Sequence, residues 1–209
     1  MPSTNVTWHT GRVSAADRAG TPVGQGATLW LTGLSGSGKS TLAAAVEERL
    51  VAQGRAAYRL DGDNLRTGLN GDLGFSREAR EENARRVAEV ARLFADAGLV
   101  AVVAIISPYA ASRHRARQLH EEAGLPFVEV YLAASAELCA ARDPKGLYAR
   151  AASGGIGPFT GVDDPYEVPE SPDVVIDQDL GVAAAVDRIL TALPPGRGTA
   201  PGKRGRSPV

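Results

Sequence analysis

The residues best suited to chemistry form one short stretch, residues 33–40, which reads Gly-Leu-Ser-Gly-Ser-Gly-Lys-Ser. It matches G-x-x-x-x-G-K-[ST], the phosphate-binding P-loop pattern. Its glycines allow a tight turn that points several N–H groups at one anion, and a following helix adds positive partial charge. The Lys39 ammonium can reach the β- and γ-phosphates, and the Ser40 hydroxyl can coordinate Mg²⁺. The stretch therefore predicts a site for a nucleoside triphosphate.

The flanks decide between this site and an ordinary turn rich in glycine and serine. Residues 28–32, Thr-Leu-Trp-Leu-Thr, form a short apolar run typical of a strand. After the loop, apolar residues recur at helical spacing until Gly54, which suits a helix C-terminus. Strand, glycine loop and helix together favour the site. The predicted nucleotide contacts in the loop are Gly33, Leu34, Ser35, Gly36, Ser37, Gly38, Lys39, Ser40 and Thr41.

Two carboxylates, Asp61 and Asp63, follow a second predicted strand at residues 56–60. Ligands of open α/β sheets bind beyond the carboxyl ends of the strands. One carboxylate could support the water shell of Mg²⁺, and the other could accept the proton of an attacking hydroxyl. The alternative is an Asp-Gly turn with solvated side chains. Position favours function, with Asp63 as the base and Asp61 as metal support.

Candidates for binding an anionic acceptor lie in the next segment. The helix predicted there carries Arg80 and Asn83 on one face, and Arg66 follows the two aspartates. Guanidinium groups suit bidentate binding of phosphate or sulfate oxygens. A solvated helix face is the alternative, because charged residues surround this pair in the sequence. Phe75 and Phe159 lie in glycine-rich loops, where aromatic rings could stack on a base.

Five predicted strands alternate with helices, which indicates an α/β fold. We expect a P-loop NTPase-type three-layer fold, with a mostly parallel five-stranded sheet, helices on both faces and a lid loop. Besides the two strands above, the predicted strands are residues 99–106, 127–132 and 174–176. The run at residues 99–106 leads to Ser107, where many P-loop proteins have an aspartate. The missing aspartate points to small-molecule kinases rather than motors or GTPases. Helices are predicted after the P-loop and over residues 77–97, 110–123, 136–142 and 182–193.

The segments outside the regular pattern suggest how the chain is organised. Residues 1–25 have no sustained period, and we expect an irregular N-terminal arm. Residues 26–193 form the predicted kinase domain. Within it, residues 143–172 are rich in Gly, Pro and Asp, which is typical of a lid or binding loop. Residues 194–209 are dominated by Pro, Gly, Arg and Ser, and we expect a disordered tail.

Composition narrows the class of protein. The 209 residues carry a formal net charge of −1, so nothing indicates nucleic acid or a membrane surface as the main partner. The longest apolar run, residues 99–106, is far short of the roughly 20 residues that span a bilayer. A single cysteine, Cys139, cannot form an internal disulfide, and the N-terminus has no signal pattern. We expect a cytoplasmic enzyme.

These motifs together resemble the adenylylsulfate kinase (APS kinase) family. The P-loop alone is generic, but the later matching blocks are specific, and the resemblance covers most of residues 5–172. The blocks besides the P-loop are Asn-Val-Thr-Trp-His at 5–9, Leu-Asp-Gly-Asp-Asn at 60–64, Leu-Gly-Phe-Ser at 73–76, Ile-Ser-Pro-Tyr at 106–109, Arg-Asp-Pro-Lys-Gly-Leu-Tyr at 142–148, Phe-Thr-Gly at 159–161 and Asp-Pro-Tyr-Glu at 164–167.

The resemblance implies transfer of the ATP γ-phosphate to the ribose 3′-hydroxyl of adenosine 5′-phosphosulfate (APS). The products would be 3′-phosphoadenosine 5′-phosphosulfate (PAPS) and ADP, with Mg²⁺ as cofactor and a homodimer as the assembly. It implies that Arg66, Arg80 and Asn83 grip the phosphosulfate, which favours function over the solvated face. It also implies that Phe75 and Phe159 sandwich the APS adenine. Further implied site residues are Ile106, Ser107, Lys145 and Leu147 on the acceptor side and Arg142 near the ATP base.

Ser107 raises a question of mechanism. In this family the serine of the Ile-Ser-Pro-Tyr block has been described as a phosphoserine intermediate. In-line transfer needs no such intermediate, because catalysis of phosphoryl transfer is mostly positional and electrostatic. We treat Ser107 as a site residue and expect direct transfer.

The sequence also departs from the family pattern and leaves rival functions to test. Ser112 and Ala133 stand where acidic residues are usual, and residues 149–155 of the lid are less basic than is common. A nucleoside monophosphate or sugar kinase would use the same donor site, but that function would not explain why Phe75 and Phe159 lie in glycine-rich loops. A non-catalytic regulatory module is the second rival, although it has no need of intact P-loop and aspartate groups.

Overall fold

Five strands form one sheet in the computed structural model, which describes residues 12–143, 146–152, 160–161 and 164–195. Their order across the sheet is β2-β3-β1-β4-β5, and every pairing is parallel. All five predicted strands are confirmed, and the sheet is wholly parallel. The strands are β1 (Ala27–Thr32), β2 (Ala57–Asp61), β3 (Val100–Ala104), β4 (Phe127–Ala133) and β5 (Val174–Asp177).

Eight helices accompany the sheet among the described residues. Helices α2, α4, α5, α6 and α8 match the predicted ones, whereas α1, α3 and α7 were not predicted. None of the described helices is long and apolar enough to cross a bilayer. The helices are α1 (Ala15–Ala19), α2 (Lys39–Ala52), α3 (Gly62–Leu65), α4 (Arg77–Asp96), α5 (Ala110–Glu122), α6 (Ala136–Arg142), α7 (Leu147–Ala152) and α8 (Val182–Ala192).

Helix α1 corrects the expectation that the described part of the arm is irregular. It begins with a capping box, in which the Ser14 hydroxyl accepts from the Asp17 N–H and the Asp17 carboxylate accepts from the Ser14 N–H. Arg18 then forms an ion pair with Asp96 at the end of α4. A helix of five residues is too short to produce a hydrophobic period, so only its caps and this long-range contact reveal it.

The side chains of β1 connect two separate apolar layers. Leu29 and Leu31 pack into a cluster with α2 and α8 on one face of the sheet. Trp30, which points to the other face, packs into a cluster with α4 and α5. Both faces are therefore covered by helices, which explains why β1 and β3 are buried along their whole length. The expected three-layer architecture is confirmed.

His120 is a polar residue in the core on the α5 side. Its Nδ1 donates to the Ala116 carbonyl (2.7 Å), so Nε2 of the neutral ring accepts from the Thr28 hydroxyl (2.8 Å). Burial lowers the pKa of His120; the nearby Arg92 charge acts in the same sense, while the Ala116 carbonyl and Glu89 oppose it. The fold therefore holds this imidazole neutral.

We expect His120 to make the stability of the protein sensitive to acid. Because the folded pKa lies below the unfolded value of about 6.5, the contribution is complete above that pH and is lost as pH falls towards the folded pKa. In thermal unfolding between pH 7 and pH 5, His120→Gln should lose less Tm than the unmodified protein. His114→Gln, an exposed histidine on the same helix, is the control and should keep the original slope. Equal slopes for all three proteins would contradict the assignment.

Candidate active site

The loop between β1 and α2 has the backbone conformation that phosphate binding requires. Gly36 and Gly38 have φ values of 79° and 96°, a region that side chains with a Cβ rarely adopt. A Cβ on Gly36 would also lie only 2.9 Å from the Cys139 carbonyl oxygen. Gly38 is the N-cap of α2, so the positive end of that helix faces the loop. The predicted strand, loop and helix are therefore confirmed as local structure.

Lys39 is held in place by the loop itself. Its Nζ donates to the backbone carbonyls of Gly33 (2.9 Å) and Leu34 (2.6 Å). The side chain is largely buried, although it lines the cleft above the loop. Ser40 and Thr41, in the first turn of α2, are exposed to the same cleft. The Lys39 ammonium and the hydroxyl groups of Ser40 and Thr41 thus line the same cleft.

The two aspartates after β2 have different surroundings. Asp61 is buried, and its Oδ1 accepts from the Asp63 N–H (3.1 Å), which caps α3. Its Oδ2 accepts from Arg59 Nη1 (3.2 Å). Asp63 is exposed and lines the cleft. The Asp-Gly turn alternative is therefore wrong in part, because Asp61 is not solvated. Its Oδ1 organises the backbone that presents Asp63, and its Oδ2 pairs with the Arg59 side chain.

Arg66, Phe75 and Arg80 form what we call the cationic wall of the cleft. The Arg66 guanidinium lies 4.2 Å from the centre of the Phe75 ring, and that of Arg80 lies 5.9 Å from it. Arg66 Nη1 donates to the carbonyls of Leu73 (2.9 Å) and Gly74 (3.1 Å). Arg80 Nε donates to the Phe75 carbonyl (2.9 Å). The Phe75 ring itself is 58% exposed, so the wall presents a ring face and two cations together.

Burial decides the question that helical spacing left open for Arg80 and Asn83. Both residues are only 8% exposed and line the cleft, so the solvated-face alternative is wrong. Burial lowers the pKa of Arg66, as does the Arg80 charge, while Asp63 acts in the opposite direction. An arginine nevertheless stays protonated at neutral pH. The wall therefore keeps the positive charge of Arg66 near the exposed carboxylate of Asp63, while Arg80 pairs with Asp164 (3.6 Å).

Ser107 lies just beyond β3. This strand ends at Ala104, two residues before the predicted end at residue 106. The Ser107 φ of 40° lies in the left-handed region that residues other than glycine rarely adopt. Its hydroxyl accepts from Trp30 Nε1 (3.1 Å) and donates to Thr32 Oγ1 (2.9 Å). Thr32 Oγ1 in turn donates to the Ile106 carbonyl (2.7 Å). The Ser107 hydroxyl is thus buried and bonded on both sides, although the residue lines the cleft.

Arg113 links the Ser107 turn to the C-terminal part of the predicted lid. Its Nη1 donates to the Ser107 carbonyl (2.8 Å) and its Nη2 to the Glu167 carbonyl (2.7 Å). Its Nε lies 2.8 Å from Glu129 Oε1, an ion pair in which both side chains are buried. The hydroxyl of Tyr109 donates to Asp164 (2.8 Å), and burial raises the pKa of Tyr109 to about 12. Sequence reasoning assigned no role to Arg113, because burial on α5 is not visible in its charged neighbourhood.

One cleft of about 970 Å³ brings most of the predicted site residues together. Gly33 and Leu34 are not part of its lining and contact the site through their carbonyls to Lys39. Phe159 and Lys145 lie outside the described residues; Leu147 begins α7, and its side chain also lies outside the description. The predicted residues that line the cleft are Ser35, Gly36, Ser37, Gly38, Lys39, Ser40, Thr41, Asp61, Asp63, Arg66, Phe75, Arg80, Asn83, Ile106, Ser107 and Arg142.

Sequence reasoning missed another part of the cleft lining. The carboxyl ends of β4 and β5 and the start of α8 contribute to it, with both apolar and polar side chains. The signal was available in the sequence, because ligands of such sheets lie beyond the carboxyl ends of the strands, and β4 and β5 end at the same edge as the first three. The missed residues are Leu132, Ala134, Asp177, Gln178, Leu180 and Val182.

The arrangement also allows a test of whether Mg²⁺ would fit. Among the described residues, no cluster of three or more His, Cys, Asp or Glu side chains is placed to hold a metal ion. Mg²⁺ commonly keeps several waters and binds to nucleotide phosphates with few protein ligands. The exposed Ser40 hydroxyl at the loop suits that mode. Asp61 could act only through its remaining lone pairs, and its assignment as metal support stays a prediction.

A strand, a glycine loop and a helix follow one another at the carboxyl end of the central strand of a parallel sheet, and Lys39 and Asp63 line the cleft there. This arrangement defines a P-loop nucleotide-binding protein. A family model described as Adenylylsulphate kinase matches residues 25–177. The chain belongs to the adenylylsulphate kinase family.

Individual relatives agree over nearly the whole chain. Adenylyl-sulfate kinase from Penicillium chrysogenum is 52% identical over 199 residues, which cover 91% of this chain and 94% of the relative. The structure of the Mycobacterium tuberculosis APS kinase CysC in complex with AMPPNP and APS is 48% identical, with a TM-score of 0.79, covering 80% of this chain and 97% of that one. A hexameric APS kinase from Thiobacillus denitrificans is 36% identical, with a TM-score of 0.62, covering 80% of this chain and 28% of that one.

Proposed function

We propose that this chain transfers the γ-phosphate of ATP to the ribose 3′-hydroxyl of APS, giving PAPS and ADP in sulfate assimilation. The observation that carries the proposal is the single cleft in which the phosphate loop faces the cationic wall. Family membership supports the same activity, since the Mycobacterium tuberculosis relative was solved with APS and the ATP analogue AMPPNP. A sugar acceptor gives no reason for two guanidinium groups stacked against an exposed phenylalanine.

The donor half of the site would bind the triphosphate through the backbone N–H groups of the loop. Lys39 would place its positive charge beside the phosphate oxygens, where negative charge increases during transfer. Bound Mg²⁺, held by the Ser40 hydroxyl and the phosphates, would neutralise charge on the β- and γ-phosphates. The residues at the ends of β4 and β5, together with Arg142, would surround the ATP base.

The acceptor half would hold APS against the cationic wall. Arg66 and Arg80 would bind the phosphosulfate, and the exposed Phe75 ring would stack on the adenine. Phe159 as the second ring of a sandwich, and Lys145 and Leu147 as lid contacts, rest on the family resemblance alone. In the reaction the 3′-oxygen forms a bond to the γ-phosphorus, the bond from that phosphorus to the β-phosphate oxygen breaks, and Asp63 accepts the hydroxyl proton.

We further propose that transfer is direct and that Ser107 is not phosphorylated during turnover. The support is its buried hydroxyl, which both donates and accepts a hydrogen bond inside the protein. Ser107 would then shape the floor of the site, with Ile106 beside it. Ping-pong kinetics, together with labelled phosphate retained on Ser107, would contradict this proposal.

The test of the proposed function is one incubation with Mg-ATP and APS, beside AMP and a panel of sugars, scored for PAPS and ADP. We expect PAPS only with APS. Phosphorylation of AMP or a sugar in preference to APS would favour the rival kinase functions. Well-folded protein that binds ATP but phosphorylates nothing would favour the regulatory module.

The surroundings of the enzyme are also part of the proposal. A homodimer rests on the family resemblance, and sedimentation of the purified chain would test it. A cytoplasmic location rests on the single cysteine, Cys139, which is buried and free. Nothing in composition points to nucleic acid or a membrane as a partner.

A further inference from the structure

Asn70 is a buried residue with no assigned role beside the cationic wall. It lies in the loop between α3 and α4 and is 0% exposed. Its Nδ2 donates to the Oδ1 of Asn83 at 3.0 Å. Its own Oδ1 is buried and has no hydrogen-bond partner. A buried polar side chain with one unsatisfied atom calls for an explanation, because such groups are rare in folded proteins.

The hydrogen bond fixes which way round the Asn83 amide sits. A planar amide places its oxygen and nitrogen on opposite sides, so an Oδ1 that faces Asn70 leaves Nδ2 as the polar atom available to the cleft. Asn83 lines that cleft. An amide nitrogen donates hydrogen bonds, as an anionic ligand requires, whereas an amide oxygen would repel the anion.

The reverse arrangement is disfavoured at both residues. If both amides were turned around, Asn83 would donate to Asn70, and the unsatisfied atom of Asn70 would be a buried NH₂ group instead of an oxygen. Buried N–H groups without partners are rarer in proteins than buried carbonyl oxygens with unused capacity. The reversed Asn83 would also present its oxygen to the cationic wall's ligand. The observed orientation, with an unsatisfied oxygen at Asn70, is therefore less destabilising than the reversed one, and it keeps the Asn83 NH₂ group in the cleft.

The loop does not depend on the Asn70 side chain for its conformation. The Asn70 backbone N–H donates to the Leu65 carbonyl (2.9 Å), and its carbonyl accepts from the Leu73 N–H (3.1 Å). Arg86 on α4 independently holds the loop through the Leu69 carbonyl (3.1 Å) and through both oxygens of Asp72 (2.7 and 2.9 Å). The side chain of Asn70 is therefore available for a role other than shaping its own loop.

We infer that Asn70 is a positioning residue for acceptor binding, which orients the Asn83 amide so that its NH₂ group donates to the anionic part of the acceptor. The inference rests on the proposed function, since it takes the acceptor to be APS. It adds a residue that never touches the substrate and acts through Asn83.

A double-mutant cycle on the full chain tests this inference. Asn83→Ala and Asn70→Ala should each raise the KM for APS by about tenfold, the effect of losing one hydrogen bond to a charged group. The KM for ATP should stay within about twofold. The double variant should be no worse than Asn83→Ala alone, because Asn70 acts only through Asn83. Asn64→Ala, an exposed asparagine in α3, is the matched control and should leave both KM values unchanged.

Three results would overturn the inference: multiplied effects in the double variant, an unchanged KM for APS in Asn70→Ala, or an unchanged KM in Asn83→Ala. If the unmodified protein makes no PAPS, the proposed function fails instead, so the two failures are distinguishable.

Should Asn70→Ala not fold, Asn70→Asp provides a second route. Its protonated carboxyl can donate to Asn83, but its carboxylate cannot, so the KM for APS relative to the unmodified enzyme should rise with pH. If the KM for APS of Asn70→Asp, divided by that of the unmodified enzyme, stays constant across pH, the inference is contradicted.

Discussion

Replacing Lys39 with methionine should lower kcat for PAPS formation by about 10³, the largest loss that we expect from any single substitution. The ammonium is already held by two carbonyls of the loop, so it needs little reorganisation when negative charge develops on the phosphates. Methionine preserves the length and apolar contacts of the stem but removes the charge and its donors. Initial rates of PAPS formation at saturating ATP and APS would measure the loss.

The matched control for this substitution is Arg49→Met on the same helix. Arg49 is a surface cation that pairs with Asp187 at 2.9 Å, and exposed pairs of this kind contribute little. Its kcat should stay within about twofold of the unmodified enzyme. Thermal unfolding of both variants separates catalysis from stability, because Lys39 also braces the loop. A Lys39→Met enzyme with nearly full turnover would exclude the assigned role.

Asp63→Asn should lower kcat by about 10² or more while ATP binding remains measurable, as expected for loss of a general base. The substitution keeps the side-chain shape, and the cap of α3 uses the backbone N–H of residue 63 rather than its carboxylate. It also removes a negative charge near Arg66. The KM for APS should therefore stay equal or fall, and only kcat should be lost.

Asp72→Asn serves as the comparison for Asp63, because it is an exposed carboxylate in the loop that follows. It pairs with Arg86 away from the cleft, and its turnover should remain near the original value. If Asp63→Asn raised the KM for APS and left kcat intact, Asp63 would be a binding residue and not the base. The split between the two kinetic parameters thus decides the role.

The donor half of the site could be predicted from the sequence because its determinants are local. The glycines of the P-loop set backbone conformation within a few residues, and the flanking strand and helix are long enough to show a period. The central strands β1 and β3 were found for the same reason, since buried parallel strands are continuous apolar runs. The short helices α1, α3 and α7 were not found, because four to six residues are too few for a pattern.

The acceptor half needed the resemblance and then the structure. Arg80 and Asn83 have charged neighbours in the sequence, and it is tertiary contacts, with the loop before α4 and with Asp164, that remove Arg80 from solvent. Asp61 and Asp63 look equivalent as Asp-Gly-Asp, yet one caps α3 from the interior and the other faces the cleft. Local spacing cannot distinguish them, because burial is set by what packs against a residue.

The sequence by itself determined the longer strands and helices and their order along the chain, the phosphate loop and the resemblance to the family. The strands, helices and loop depend on backbone preferences and apolar periodicity over a short span, whereas the resemblance rests on the matching motif blocks. Only the tertiary structure decided which polar side chains are buried and which atoms they present. Arg113 joins the Ser107 turn to residue 167, and Asn70 turns the amide of Asn83, through contacts between segments distant in sequence or folded against each other. Such contacts depend on how separate segments pack together, so they cannot be predicted from any single stretch of residues.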